Sequence, residues 1–203
     1  MNECLKLMLM SLIKYYSNPI KLKLIYEIST NGNIVSLRIL EYFLTSYCNH
    51  WDKDSKSRKV IKINGNIVYN KYKQQLLSYN KKKFDPFKRD KRIVLYTEDL
   101  YEDGTPVHLL KDWDRLEKLE HINIKCKVHD SKEKTSEYGI VTTIAQLHFF
   151  KWCVENNIIS YALEHMDDII LHMKNNVKEK DKQIDIVKNN KNIHNNKLHI
   201  KLS

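Results

Sequence analysis

The sequence predicts an α+β fold, with about five helices around a small sheet. Its 203 residues include only 4 Gly and 3 Pro, too few turn formers for a sandwich or barrel of many short strands. Long segments repeat apolar residues at helical spacing, whereas a few short ones alternate. Apolar residues make up 42% of the chain, enough for one core, so we predict a single domain over residues 1–175 and a tail over 176–203.

The first fifty residues predict two helices and one ambiguous segment. Residues 4–15 form a short helix that ends before Asn18-Pro19. Residues 20–28 alternate at first, as in a strand, although a helix is also compatible with them. A turn at residues 31–33 precedes a helix over residues 34–48, which carries a wide apolar face.

The next segment predicts a loop, a strand and a helix. Residues 51–58 are polar, residues 59–63 alternate as a strand, and Asn64-Gly65-Asn66 tolerates the positive φ of a tight turn. A helix over residues 67–82 follows, and its apolar face consists of Tyr69, Tyr72, Leu76 and Tyr79. Residues 84–87 (Phe-Asp-Pro-Phe) interrupt it, because proline disfavours a helical residue before it. We expect these two phenylalanines to pin the helix end to the core.

The third quarter predicts most of the sheet. Strands are expected at residues 92–96, 122–128 and 138–142, which would join the strand at 59–63. A turn at residues 103–106 precedes an acidic helix over residues 108–120, with its inward positions at Leu109, Leu110, Trp113 and Leu116.

The C-terminal part predicts the centre of the molecule. Thr143 is a suitable N-cap for a helix over residues 144–155 that is apolar on nearly every side and therefore buried. Asn156-Asn157 breaks this helix, and an amphipathic helix follows over residues 158–175. The tail from residue 176 is rich in Lys and Asn, and we expect it to be flexible and partly disordered.

Charge is distributed very unevenly. Residues 52–92, the basic segment, contain 14 Lys or Arg and 4 Asp or Glu, whereas residues 93–173 contain 8 and 15. The net charge of the basic segment alone is therefore +10, the same as the formal net charge of the whole chain. Such local concentration indicates a partner that neutralises it, usually phosphate.

We therefore predict a non-enzymatic module that binds nucleic acid, DNA or RNA, through phosphate contacts with little sequence specificity. Aromatic residues are interleaved with the cations and could stack on unpaired bases. The two groups of cations around residues 84–87 could also approach one ligand from two sides. The predicted site residues are Lys71, Lys73, Lys81, Lys82, Lys83, Lys88, Arg89, Lys91 and Arg92.

Two other functions stay open. One is a structural or assembly protein whose basic patch binds an acidic protein partner. The other is a metal-dependent, nuclease-like enzyme built on the carboxylates of the acidic segment, residues 98–120. That segment could instead dock on the protein's own basic segment, which would weaken external binding.

The sequence contains no recognisable catalytic triad, phosphate-binding loop or dinucleotide motif, so we predict no catalytic residue and no cofactor. Zinc would accept the Cys48, His50, Cys126 and His129 side chains, but their spacings are unfavourable, and we predict no metal. The four cysteines lie far apart and predict reduced thiols in an intracellular compartment. No segment is expected to span a membrane.

Three segments resemble an uncharacterised protein family of giant nucleocytoplasmic large DNA viruses, such as mimivirus. They are residues 36–47, residues 72–76 continuing to 81–89, and residues 142–152. The resemblance covers roughly residues 34–165, without the acidic segment and the tail. It implies a viral protein in the host cytoplasm, the virus factory or the virion, and it implies no activity.

Overall fold

A computed structural model of the chain describes residues 3–28, 34–52, 55–79, 81–87, 90–130 and 139–176. The turn predicted at residues 31–33 and the tail from residue 177 lie outside these ranges. Within them the fold is α+β, as predicted, with helices and small antiparallel sheets around one hydrophobic core.

The N-terminal region consists of helices α1 (Glu3–Tyr16) and α2 (Pro19–Tyr26). The strand interpretation of residues 20–28 is therefore wrong, and the helical alternative is right. The Asn18 side chain caps α2 by accepting a hydrogen bond from the Lys21 backbone N–H at 3.1 Å, and Pro19 occupies the first turn. These capping signals favour a helix over a strand. The burial pattern agrees with a helix, because the buried residues Leu22 and Ile25 lie three positions apart.

The predicted helix over 34–48 is present as α3 (Leu37–Tyr42), which continues into a π-helical turn (Phe43–Tyr47). The turn buries Phe43, Leu44 and Tyr47 in the core. The Ser36 side chain caps α3 by accepting from the Ile39 N–H at 3.2 Å.

Two short hairpins follow, where a loop and one strand were predicted. Strands β1 (Asn49–Asp52) and β2 (Ser57–Val60) pair antiparallel, so the loop prediction for residues 51–58 is wrong. Strands β3 (Lys62–Ile63) and β4 (Asn66–Ile67) form the second hairpin. Its turn has positive φ at Asn64 (50°) and Gly65 (76°), as predicted.

The main sheet has three strands in the order β6-β5-β7, all antiparallel to the central strand. They are β5 (Ile93–Tyr96), β6 (Lys125–Val128) and β7 (Ile140–Thr142). Residues 59–63 do not join this sheet, contrary to prediction. Ile122 and Ile124 are buried but precede β6, and the Ile122 N–H donates to the Ser17 carbonyl oxygen at 2.8 Å instead of pairing in the sheet.

The helix predicted over residues 108–120 is reduced to a single turn, α6 (Trp113–Leu116). The Asp112 carboxylate accepts a hydrogen bond from the His108 backbone N–H at 3.2 Å. Such a local side-chain contact competes with helix formation. Leu109 and Leu116 are nevertheless fully buried, as the pattern predicted.

Helix α7 (Ile144–Glu155) lies at the centre of the core, as predicted. Thr143 and Gln146 form a capping box, in which the Thr143 hydroxyl accepts from the Gln146 N–H and the Gln146 side chain accepts from the Thr143 N–H. Asn157, at φ 56°, separates α7 from α8 (Ile158–Glu164). A non-helical residue at His165 then divides the predicted 158–175 helix, and residues 166–176 are helical again.

Candidate nucleic-acid interface

The predicted site residues lie on two helices and the segment that leads into the sheet. The helix predicted over 67–82 consists of α4 (Val68–Ser78) and α5 (Lys81–Phe84). Lys71 and Lys73 are on α4, Lys81, Lys82 and Lys83 are on α5, and Lys91 and Arg92 precede β5. Lys88 and Arg89, together with the side chains of Lys81 and Lys82, lie outside the described part of the structure.

Buried aromatic residues hold α4 and α5 against α7. Phe84 is 1% exposed and Tyr72 is 4% exposed. Their ring centroids lie 5.8 Å and 5.9 Å from that of Trp152 on α7. The two helices are therefore anchored through their apolar side, with Lys73 exposed and Lys71 and Lys83 half-buried.

Only one of the two phenylalanines in residues 84–87 pins this region. Phe84 is in the core, whereas Phe87 is 45% exposed. Asp85 stabilises the turn between them, because its carboxylate accepts from the Phe87 backbone N–H at 3.0 Å. The prediction that both rings anchor the helix end is correct for Phe84 and wrong for Phe87.

The described cations of the basic segment have no acidic partner among the residues that the structure describes. None of them lies within 4 Å of a described carboxylate, and the ion pairs of the described residues involve other lysines and arginines. All are exposed except Lys71 and Lys83, which are half-buried. The cations in this set are Lys56, Arg58, Lys59, Lys62, Lys71, Lys73, Lys83, Lys91 and Arg92.

The acidic segment is engaged elsewhere. Glu117 accepts from Lys23 of α2 at 2.6 Å, and Glu98 pairs with Lys125 of β6. Asp103 caps its own turn: hydrogen bonds from Thr105 and the Arg115 guanidinium at 3.0 Å lower the pKa of its carboxyl group. The segment therefore does not dock on the basic segment through any ion pair between described residues.

A groove opens between α4, α5 and α7, with a volume of about 250 Å³. We call it the α4–α7 groove. Its wall includes Trp152, whose indole is 6% exposed, and Tyr79, which is 39% exposed at the rim. The groove also contains an ion pair, in which the Lys151 ammonium group lies 3.9 Å from the Glu155 carboxylate. Its lining residues are Lys71, Gln75, Tyr79, Phe84, His148, Lys151, Trp152, Glu155 and Asn156.

His148 occupies a well-defined position in the groove. Its Nδ1 lies 3.4 Å from the Lys83 carbonyl oxygen, and its ring centroid lies 4.5 Å from that of Tyr79. Burial lowers the pKa of this imidazole, which therefore favours the neutral form. In that form Nδ1 carries the hydrogen that faces the carbonyl, and Nε2 is left as an acceptor.

Sequence reasoning included Lys71 in the predicted site but did not connect it with the other polar residues of this groove. Gln75, His148 and Asn156 are separated by as many as 81 positions, and no spacing rule connects them. The available signal was His148 in the otherwise apolar helix α7, because a polar side chain there indicates that one side of the helix is not fully buried.

The residues considered for metal binding do not come together. Within the described ranges, no group of three or more His, Cys, Asp or Glu residues is placed to hold a metal ion. Cys48 is fully buried, its thiol contacts the Leu44 carbonyl oxygen at 3.1 Å, and burial raises its pKa to about 12. Cys48, Cys126 and Cys153 are all free thiols.

In the part of the chain that the structure describes, no helix is both long enough and apolar enough to cross a bilayer.

Comparison with known proteins confirms the resemblance to giant viruses. The chain is 29% identical over 171 residues to the uncharacterized protein L507 of Acanthamoeba polyphaga mimivirus. The match covers 82% of this chain but 52% of the relative, so the chain spans about half the length of the curated relative it matches. No solved structure matches this chain.

A family model matches residues 6–107 and 121–200. The match is wider than the resemblance predicted, because it includes most of the tail. Residues 108–120 of the acidic segment fall between the two matched stretches. The chain belongs to this family, a family of unknown function designated DUF7197.

Proposed function

We propose that this protein is a non-enzymatic module that binds nucleic acid through its phosphates, with little sequence readout, during giant-virus infection. Its place would be the host cytoplasm, the virus factory or the virion. The observation that carries the proposal is the set of described basic-segment cations with no described carboxylate within 4 Å. Unpaired surface cations remain available to phosphates and release counterions when they bind them.

The arrangement on α4 and α5 supports the same proposal. Phe84 and Tyr72 anchor these helices on α7, so Lys71, Lys73 and Lys83 lie on elements that are packed against the core. Lys73 lies over the Tyr69 ring at 5.3 Å, a contact that holds the ammonium group without neutralising it. A rigid cationic surface loses less conformational entropy on binding than a flexible one.

The test is the salt dependence of binding to a fluorescent oligonucleotide. A variant with Gln at Lys71, Lys73, Lys83, Lys91 and Arg92 should lose at least about tenfold in affinity, and its salt slope should fall by about 1 for each lost phosphate contact. A matched control removes five exposed cations outside the basic segment and should retain both properties. The control positions are Lys6, Lys14, Lys111, Lys118 and Lys174.

Equal losses in the two variants would mean that net charge, and not this surface, governs binding. An acidic protein partner is the alternative function, and it predicts a different result. In that case the wild type would bind poly-glutamate but not the oligonucleotide, and the basic-segment variant would no longer bind poly-glutamate. Metal analysis of the purified protein, together with a nuclease assay, tests the enzymatic alternative.

A further inference from the structure

We infer that the α4–α7 groove accepts an unpaired nucleobase, so that the preferred ligand of this protein is single-stranded nucleic acid. The inference rests on the proposed function and deepens it, because the phosphate-binding surface alone does not distinguish a duplex from a single strand. Lys71 of α4 lines the groove, and the Lys83 carbonyl oxygen of α5 faces His148 within it.

The walls of the groove suit a flat ring system. Tyr79 is at the rim, where its ring stacks on that of Phe84 with an interplanar angle of 16° and a centroid separation of 6.0 Å. The Trp152 indole forms part of the wall. Aromatic faces bind bases of any sequence, because every base has a π face.

The polar groups supply the donors and acceptors that base edges require. His148 presents an acceptor at Nε2 when Nδ1 faces the Lys83 carbonyl oxygen. The Asn156 amide nitrogen donates to the Trp152 carbonyl oxygen at 2.8 Å, which leaves its amide oxygen as an acceptor. The Gln75 amide provides both a hydrogen-bond donor and an acceptor.

Trp152 provides a second, independent observation. Its indole N–H is buried and has no hydrogen-bond partner among the described residues. Buried polar groups in native proteins are rarely left unpaired, and such groups call for an explanation. The nitrogen is shielded from solvent, so an acceptor on a bound base reaches it only when the Trp152 side chain shifts on binding.

The groove has the size of a small-ligand site. Its volume of about 250 Å³ is slightly below the roughly 300–1,000 Å³ of sites that bind drug-sized molecules. A base inside a duplex is already paired and stacked, and extruding it costs free energy. An unpaired base in a single strand can enter the groove without this free-energy cost of extrusion.

A smaller cavity extends the groove toward the β3–β4 hairpin. It shares Lys71, Trp152 and Asn156 with the groove and is also lined by Asn64 and Asn66 of the hairpin turn. Lys62, on the same hairpin, is exposed and has no described acidic partner. A strand with one base in the groove could therefore place the adjacent phosphates near cations on both sides.

Three fluorescent probes of equal length test the inference: a single strand, a hairpin duplex and a single strand of abasic nucleotides. The wild type should bind the single strand at least about tenfold more tightly than the other two, the effect expected for one stacked base. Replacing Tyr79 by alanine (Y79A) should remove this preference without changing the salt slope. Q75A should weaken single-strand binding in the same direction.

F87A is the matched control, because Phe87 is an equally exposed aromatic residue of the basic segment and does not line the groove. It should keep the preference, and circular dichroism should show that each variant is folded. If all three probes bind equally in a salt-dependent manner, the inference is wrong and the proposed function stands. If none of them binds, both are wrong.

Discussion

Tyr15 and Tyr16 are neighbours on α1, yet only one of their hydroxyl groups has a hydrogen-bond partner among the described residues. The Tyr16 hydroxyl is buried and donates to the Leu147 carbonyl oxygen of α7 at 2.7 Å. The Tyr15 hydroxyl is also buried but has no hydrogen-bond partner among the described residues. Burial raises the pKa of both phenols, that of Tyr15 to about 12. Comparing the two residues therefore distinguishes the stability gained from a buried hydrogen bond from the cost of burying a hydroxyl group without a partner.

Replacing Tyr16 by phenylalanine should lower the free energy of unfolding by about 1 kcal/mol, because a buried hydrogen bond is lost. Replacing Tyr15 by phenylalanine should leave it unchanged or raise it slightly, because an unsatisfied hydroxyl is removed. Urea denaturation of the two variants measures the difference. Equal destabilisation would contradict the assignment of the Tyr16 contact.

The sequence could not single out Tyr16 in this way. The two tyrosines are adjacent, and the partner of Tyr16 lies 131 residues further along the chain. The same limit applies to Phe84 and Phe87, which were predicted to share one role. Only the packing on α7 makes one of them a core residue and leaves the other exposed.

Among the elements, α7 organises the molecule, and its N-terminus is its most clearly encoded feature. The capping box at Thr143 and Gln146 directs the chain from β7 into the helix. The helix then contacts α1 through Tyr16 and α5 through Phe84. Stability of the N-terminus of α7 therefore affects both sides of the core.

Replacing Thr143 by alanine should destabilise the protein by about 1 kcal/mol, within the range of 0.5–2 kcal/mol for lost N-caps. Thermal denaturation measures this effect. T45A is the matched control: Thr45 is exposed and its hydroxyl donates to the Glu41 carbonyl oxygen within the helix at 2.8 Å. Its stability should stay within about 0.5 kcal/mol of the wild type, as expected for surface substitutions.

Elements with strong local signals were predictable, and those without them were not. The cap at Thr143, the break at Asn157 and the turn at Asn64-Gly65 are each specified by adjacent residues. The β1–β2 hairpin was missed because it is largely exposed and has no alternating apolar pattern. The acidic helix over 108–120 was overestimated, because apolar spacing does not reveal the Asp112 contact that competes with it.

The whole molecule keeps its charges in separate regions. Three carboxylates of the acidic segment form ion pairs outside the basic segment: Glu117 with α2, Glu98 with β6 and Asp103 with Arg115. The described cations of the basic segment form no ion pair with described residues. This separation is what makes a salt-dependent association with a polyanion possible.

Stability of the whole molecule should decrease under alkaline conditions. Burial raises the pKa of Cys153, Tyr16 and Tyr72 well above their ordinary values, and that of Cys48 to about 12. Above about pH 8.5 the unfolded chain begins to lose these protons, whereas the folded protein retains them. The unfolded state then binds fewer protons, so the free energy of unfolding falls as the pH rises toward the folded-state pKa values.

Urea midpoints measured under reducing conditions between pH 7.5 and 10.5 test this prediction. Y72F should show a shallower decline, because one of these groups is removed. I25V, a core change without an ionisable group, should lower every midpoint by a similar amount, since Ile to Val costs about 0.5–1.5 kcal/mol. Midpoints that stay constant up to pH 10.5 would contradict the burial of these groups.

Composition and local pattern were sufficient for the α+β class, the central helix at 144–155, the concentration of charge and the resemblance to a giant-virus family. These properties depend on residue type and on neighbours a few positions away. The tertiary structure decided which described cations lack a carboxylate partner among the described residues and which phenylalanine is anchored. It also decided that Lys71, Gln75, His148 and Asn156 line one groove. Those properties depend on distances between residues far apart in the chain, which are set by packing of α4, α5 and α7 around one core.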